Sequence, residues 1–348
     1  MDAINTHAPS VCIILVNYNT WEDTIECMES ILKSNYSNFQ IVVVENYSTN
    51  NSWEQLIKWC RGEAFPKVEA SNPLFKYSNP PAIKPVMYLR ANVEESDHLR
   101  LINTGGIKPI LFIKSDENLG FAGGNNVGLR YAIFNSFDYM WLLNNDTVIE
   151  SDTLKQLVDY GELHAKKKIG IIGSKLLLYH KPDTLQGMGA VFNKYSGKSK
   201  IIGAQQKDIG QFDNADVQCN YVIGAAMFVP RSFVLDVGVM SEDYFLYNEE
   251  NDWASRAKRK GWSVGVAAKS KVYHKQGAST GNSPKKSKWQ IKALHYKYRG
   301  KIKLYKKYYR PQLPFLYLHL LSRSATYLAK GNFSEAAVIY KAIFNTKF

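Results

Sequence analysis

Val11-Cys12-Ile13-Ile14-Leu15-Val16, followed at once by Asn17-Tyr18-Asn19-Thr20, is the stretch that decides the fold. An unbroken apolar run rich in β-branched residues reads as a strand buried on both faces, the condition of a parallel sheet covered by helices. Thr20, with Asp23 three positions on, marks a helix start, and Ile25, Met28, Ile31 and Leu32 follow at helical spacing. Ile41-Val42-Val43-Val44 repeats the strand pattern and ends in Glu45-Asn46-Tyr47-Ser48-Thr49-Asn50, before a helix through Trp59. Strand and helix alternating at this interval predict right-handed βαβ units, hence an α/β fold with a mostly parallel, Rossmann-like central sheet flanked by helices.

Further along, the rhythm breaks between Arg61 and Lys108, where Pro66, Pro73, Pro80, Pro81 and Pro85 fall in a stretch of little periodicity. This segment reads as an insertion or irregular subdomain. The pattern resumes with the strand Ile110-Leu111-Phe112-Ile113, a Gly/Asn loop from Asn118 to Gly128, a helix to about Phe134, and the strand Tyr139-Met140-Trp141-Leu142-Leu143. A helix from Ser151 and a strand over Ile169-Gly170-Ile171-Ile172 come next, and Lys175 to Ala226 reads as hairpins and loops. From Lys286 onward two or three amphipathic helices are expected. The organisation is therefore an α/β domain over residues 1–284, carrying the insertion at about 61–108, and a basic helical extension over 285–348.

A chain of 348 residues with 45% hydrophobic content can bury one large core, which excludes a disordered chain. Cys12, Cys27, Cys60 and Cys219 have no CxxC spacing and read as buried reduced thiols. Met1 to Ser10 shows no basic region followed by an apolar run, so a cytoplasmic location is expected. The formal charge of +13 calls for an acidic partner. Its excess lies toward the C-terminus, where Pro284-Lys285-Lys286-Ser287-Lys288-Trp289 leads into the Lys- and Tyr-rich stretch from Lys297 to Arg310. Cations interleaved with aromatics suit an anionic membrane surface, a peripheral contact on its inner face, with an exposed basic helix as the plain alternative. Pro314 to Leu321 is apolar but too short to span a bilayer, with Arg323 close behind. A homodimer or packing role is the other use for these helices. No nucleic-acid motif accompanies the charge.

Polar clusters stand where the strands end, the edge at which open parallel sheets bind ligands. Asn17-Tyr18-Asn19 and Glu45-Asn46-Tyr47-Ser48 suit contacts to a base and ribose, and equally suit turn and cap chemistry. In Asn118-Leu119-Gly120-Phe121-Ala122-Gly123-Gly124-Asn125-Asn126-Val127-Gly128 the glycines allow close backbone approach, and the following helix offers free N–H groups to an anion. The order is neither GxGxxG nor a P-loop, which disfavours a dehydrogenase or an ATPase. Asn144-Asn145-Asp146, the acidic opening Glu249-Glu250-Asn251-Asp252, and His274 at the end of another strand together supply oxygen and nitrogen ligands suited to Mg or Mn. The acidic opening also complements a helix dipole, with Asp252 and Arg256 an i,i+4 pair. Convergence of residues 146, 250 and 274 on one rim of the sheet is the central spatial expectation.

With these motifs in order, the chain resembles the family-2 inverting glycosyltransferases of GT-A fold, especially their rhamnosyltransferase-like members. The resemblance rests on the opening strand and NYN, the turn at Val42 to Asn50, NLGFAGGNN at 118–126, LLNNDT at 142–147, FLYNEENDWASR at 245–256 and VYHKQGAST at 272–280. It covers about residues 10–280 apart from the insertion. The resemblance implies a nucleotide-sugar donor, dTDP- or UDP-linked, held by Val16, Asn17, Asn19, Glu45, Asn46, Ser48, Asn118, Gly120, Gly123, Asn125 and Asn145. It further implies a divalent metal at Asp146, with His274 and Asn144, and a general base at Glu250. Glu249 and Asp252 are its neighbours, and Asp252 stays open as the base. The acceptor would be a glycan or lipid-linked precursor. dTDP-rhamnose is the leading donor; a UDP-hexose, UDP-N-acetylhexosamine or galactofuranose donor is the rival, and a non-catalytic nucleotide- or glycan-binding protein is the answer of another class.

Overall fold

Val11–Asn17 does form a fully sheet-bonded strand, β1, with β2 (Phe39–Glu45) on one side of it. This is a computed structural model, and it describes residues 8–101, 108–276, 287–344 and 346. The remaining strands are β3 (Tyr88–Asn92), β4 (Ile110–Lys114), β5 (Tyr139–Leu143), β6 (Thr147–Ile149), β7 (Ile169–Leu178), β8 (Lys181–Gly187), β9 (Ala190–Asn193), β10 (Lys198–Ile201), β11 (Ala226–Pro230) and β12 (Ser263–His274). The main sheet runs β3-β4-β2-β1-β5-β11-β7-β12-β6, with β8 on β7, and β9 pairs β10 in a separate hairpin. From β3 to β5 all neighbours are parallel, whereas β11 lies antiparallel to both β5 and β7.

The helices of the α/β part are α1 (Trp21–Leu32), α2 (Ser52–Arg61), the short α3 (Phe75–Ser78) and α4 (Val93–Ser96), α5 (Gly120–Phe134), α6 (Thr153–Leu163), α7 (Arg231–Val237) and α8 (Glu249–Arg259). Alternation along β1 divides the core. Val11, Ile13 and Leu15 pack with α1, α2 and α6, while Cys12 and Ile14 pack with α5, α7 and α8. Both faces of the sheet are thus dry, as the unbroken apolar run requires. Cys12, Cys27 and Cys60 are buried free thiols and Cys219 is half-buried; burial pushes the Cys27 and Cys60 thiols up to about 12.

Two expectations change. The segment 61–108, expected to be irregular, supplies the edge strand β3, which pairs in parallel with β4 from Tyr88 to Asn92. Its alternation is blurred because an edge strand leaves Arg90 and Asn92 exposed to solvent. The Gly/Asn loop expected from 118 to 128 is in fact the opening of α5, which begins at Gly120. Helix propensity is overridden there by packing: a Cβ on Gly128 would come within 2.5 Å of Ile14 Cγ2, so only glycine lets α5 rest on β1. Gly128→Val is therefore expected to lose about 2 kcal/mol of stability, read from the urea midpoint at unchanged m-value.

The C-terminal extension forms three helices, α9 (Lys288–Tyr308), α10 (Leu313–Ala329) and α11 (Phe333–Ile343). They share a small core of Tyr298, Ile302, Tyr305, Leu316, Leu320 and Val338, against which Phe192 of β9 packs. Among the described residues no helix is long and apolar enough to cross a membrane.

Candidate active site

The polar residues at the ends of β1 and β2 form one hydrogen-bonded network. Register places Asn17 beside Glu45, and Asn17 Nδ2 donates to Ser48 Oγ at 3.2 Å while its Oδ1 accepts from Thr24 at 2.8 Å. Glu45 accepts from the Ser48 backbone N–H at 2.9 Å, and Asn19 Oδ1 from that of Thr49 at 2.8 Å. Asn46 reaches across to α5, accepting from Leu119 N–H at 3.0 Å and donating to Asn118 Oδ1 at 3.2 Å. Gly120 is in the left-handed region (φ 69°), and a Cβ there would lie 2.5 Å from the Phe245 carbonyl, which accepts from Phe121 N–H.

This framework encloses a pocket of about 180 Å³ lined by Val16, Tyr18, Asn46, Asn118, Gly120, Phe121, Asn125, Leu143, Asn144, Asn145, Phe245, Leu246 and Trp289. Of the residues nominated for the nucleotide, Val16, Asn46, Asn118, Gly120, Asn125 and Asn145 line it. Asn17, Asn19, Glu45 and Ser48 support its walls, and a Cβ on Gly123 would meet Leu119 rather than the cavity. Tyr18, from a cluster expected to touch base and ribose, lines the pocket as well, whereas sequence reasoning missed Phe121, Phe245, Leu246 and Trp289 as lining groups. Phe245 and Leu246 sit inside a quoted motif, but Trp289 arrives from α9, where Tyr296 also packs on the Phe245 ring at 4.7 Å.

Beside the pocket, β6 and β12 pair antiparallel with His274 opposite Thr147. That register brings His274 Nε2 to 3.1 Å from Asp146 Oδ1, and Asn144 Nδ2 lies 3.4 Å from the same nitrogen. Asn145 turns away, donating to Thr20 Oγ1 at 2.7 Å and Thr24 Oγ1 at 2.8 Å, so the Thr20 hydroxyl serves Asn145 rather than capping α1. Gln186 Oε1, a partner not foreseen, stands 2.9 Å from His274 Nδ1. With Nδ1 donating to Gln186, the neutral ring turns an Nε2 lone pair toward the Asp146 carboxylate. Two electron-rich atoms at that distance require a positive centre, either a proton on Nε2 or a shared cation. Among the described residues no group of three or more His, Cys, Asp or Glu side chains is disposed to hold a metal. A carboxylate and an imidazole still fit a Mg- or Mn-type ion whose other ligands are phosphate oxygens and water.

The acidic opening enters through a tight turn: Tyr247 and Asn248 both have positive φ (70° and 75°), and α8 starts at Glu249. α9 braces this turn, because a Cβ on Gly300 would lie 2.8 Å from Asn248 Nδ2, and that amide donates to the Lys297 carbonyl at 3.3 Å. Glu249 is buried, and its Oε2 has no hydrogen-bond partner among the described residues. Burial raises its carboxyl well above the usual range, and the neighbouring charge of Glu250 adds to the effect. Glu250 is partly exposed; burial raises it too, against backbone hydrogen bonds and the attraction of Lys297. Asp252 is fully buried and accepts from Tyr244 at 3.0 Å, Arg256 at 3.0 Å, Tyr308 at 3.1 Å and Lys307 at 3.2 Å. Its oxygens tie α8 to α9. The structure thus joins Asp146, His274 and Asn144 directly, while Glu250 stands on the segment whose Phe245 and Leu246 share the pocket with Asn144 and Asn145. Gly277 to Thr280 of the last motif, and Pro284 to Lys286 of the basic run, lie outside the described residues.

Asp252→Asn is expected to cost about 3 kcal/mol of stability, because Arg256 and Lys307 would lose their buried counter-charge; chemical denaturation measures it. The loss is held near the low end because both cations are partly exposed.

Residues 12–71 match the family described as Glycosyl transferase family 2. That span covers β1, α1, β2 and α2, the elements that carry the Asn17 and Glu45 clusters. Over 171 residues the chain is 24% identical to the low-salt glycan biosynthesis hexosyltransferase Agl10 of Haloferax volcanii, covering 48% of this chain and 52% of that protein. The chain therefore spans about half the length of the curated relative it matches. Among solved structures it is similar to GalNAc-T7 with UDP, GalNAc and Mn2+, with a TM-score of 0.54 at 9% identity, over 89% of this chain and 50% of that one. It is also similar to the mannosyltransferase PcManGT of Pyrobaculum calidifontis with GDP-Man and Mn2+, with a TM-score of 0.51 at 14% identity, over 98% and 89%. The fold is GT-A, as the sequence motifs led us to expect.

Proposed function

We propose that this protein is an inverting glycosyltransferase that moves a sugar from a nucleoside diphosphate to a hydroxyl of a surface glycan or its lipid-linked precursor, at the inner face of the cell membrane. The observation that carries this reading is the Asp146–His274 pair, 3.1 Å apart at the strand ends and next to the pocket that Val16, Asn46, Asn118 and Trp289 line. A family 2 match over residues 12–71 and the hexosyltransferase relative support it. Rhamnose from dTDP-rhamnose is our preferred donor, on the strength of Asn144-Asn145-Asp146 and its likeness to rhamnosyltransferase-like sequences.

In this reading the pocket holds the nucleotide, with Tyr18 and Phe121 giving it apolar walls and Asn46, Asn118 and Asn125 its polar ones. Asp146 and His274 would hold a divalent cation, which when bound offsets the charge of the departing diphosphate. Gln186 fixes the His274 ring so that Nε2 faces that place. Glu250 takes the proton from the acceptor hydroxyl, whose oxygen attacks the anomeric carbon as the bond to the nucleoside diphosphate breaks. A single displacement inverts the anomeric centre. Glu250, less buried than Glu249, presents the carboxylate to the acceptor, and Asp252 keeps α8 in position.

The test is a panel of nucleotide sugars scored for thermal stabilisation and for donor hydrolysis, with and without Mn2+. dTDP-rhamnose is expected to give the largest metal-dependent shift. A larger shift with a UDP-sugar would reassign the donor, stabilisation without hydrolysis or transfer would make the protein a binding module, and no shift with any donor would overturn the reading.

A further inference from the structure

Between Lys288 and Phe344 the chain carries twelve Lys and Arg and one acid, Glu335, so eleven of its thirteen net positive charges belong to the three C-terminal helices. Three of the eight cations of α9 face the rest of the protein. Lys301 donates to the Gly197 carbonyl at 2.6 Å, Lys303 to the Asp243 carbonyl at 2.7 Å, and Lys307 pairs with Asp243 and Asp252. Its aromatics Tyr298 and Tyr305 are buried. Part of the Lys- and Tyr-rich stretch that reads in sequence as a headgroup surface is therefore turned inward, with Lys307 bracing α8.

α10 is built the other way. Its inner side is Leu316, Leu320 and Ser324, all buried, and its outer side is Phe315, Leu318, Leu321, Ala325 and Leu328, all exposed. These positions recur every three or four residues from Phe315 to Leu328, so one uncharged face runs for about four turns of the 17-residue helix. Phe315 and Leu318 are 53% and 66% exposed, more than a single scattered apolar residue would account for. Tyr195, at the tip of the β9–β10 hairpin, meets the Phe315 ring edge-on at 6.2 Å and extends the face. Cations surround it: Arg310 and Lys330 flank the two ends of α10, Lys194 lies over the Tyr195 ring, and Lys198 is close enough to His319 to act on its charge.

We infer that the outer face of α10, with Tyr195 beside it, docks in the plane of an anionic lipid surface, its apolar side chains entering the acyl boundary and Lys194, Lys198, Arg310 and Lys330 meeting headgroup phosphates. A second copy of the chain is the poorer occupant, because it would bring its own Lys194, Lys198, Arg310 and Lys330 to the contact, whereas an anionic bilayer neutralises them. The inference extends the proposed work on a lipid-linked acceptor and rests on that reading only for its purpose.

Sedimentation of the full chain with vesicles of phosphatidylcholine, alone or with 30% phosphatidylglycerol, tests it without any donor present, so failure here leaves the transfer reading intact. Binding is expected only with the anionic vesicles and should weaken at least tenfold as salt is raised. The doubly substituted Leu318→Glu, Leu321→Glu chain should lose binding at least tenfold with an unchanged melting temperature, since both residues are exposed. Lys194→Glu with Lys198→Glu, also exposed, should weaken binding independently. Equal binding by the parent and the Leu318/Leu321 variant would overturn the inference. So would a dimer in light scattering that the same variant abolishes, which would give the face to a second copy.

Discussion

Glu250→Gln is expected to lower transfer by about 10³-fold while leaving the melting temperature unchanged. The amide keeps the shape of the side chain and loses its charge and its capacity to accept a proton, while the ion pair that holds α8 to α9 is made by Asp252 with Lys307. The acid side of the pH profile carries the same prediction. Burial raises the Glu250 carboxyl above its ordinary value, and a base works only when deprotonated. Activity should therefore fall as pH drops through this raised pKa, at a higher pH than an exposed carboxylate would give. Lys297→Met, which removes the charge that favours the carboxylate, should move that acid limb further up. A Glu250→Gln enzyme with near-parent turnover would refute the assignment of the base.

Asp146→Ala should be as severe, about 10³-fold in turnover, on a different physical ground. Among the described residues Asp146 carries the carboxylate that faces His274, and in the proposed mechanism removing it leaves an imidazole that by itself would hold Mg or Mn poorly. Loss of charge compensation for a departing diphosphate is a matter of several kcal/mol, which at about 1.4 kcal/mol per decade gives that factor. The accompanying measurement is thermal stabilisation by Mn2+ and nucleotide together, which the variant should no longer show, whereas Glu250→Gln should retain it. The two substitutions thus separate cation holding from proton removal. If Asp146→Ala kept both turnover and the Mn2+ response, Asp146 and His274 would be a structural ion pair.

The strands β1, β2, β4 and β5 were legible because each is an apolar run, and only a strand covered on both sides tolerates such a run in water. Edge strand β3 was not, because Arg90 and Asn92, two of its five residues, face solvent with polar side chains. The start of α5 was misread as loop because glycine has low helix propensity, and the close seat of Gly128 on Ile14 that rewards glycine there is a tertiary contact. In the site, Asp146, His274 and the Glu249–Glu250 pair were visible as polar residues standing where strands end or a helix opens. Trp289 and Gln186 were not, for Trp289 ends a basic run that reads as a membrane contact, Gln186 belongs to no cluster, and each reaches the site from an element distant in sequence.

By itself, then, the order of residues determined which apolar segments form covered strands of the sheet, where the polar clusters at their ends stand, and that the C-terminal helices are strongly basic. These follow from local periodicity and from solvent exclusion, which act residue by residue. Only the tertiary structure decided which nominated groups face the pocket and which hold it up. It also decided that the basic helix α9 braces α8 while α10 turns an uncharged face outward. The reason is register: pairing His274 opposite Thr147 sets the imidazole against Asp146 across more than a hundred residues, and no spacing along the chain encodes that meeting.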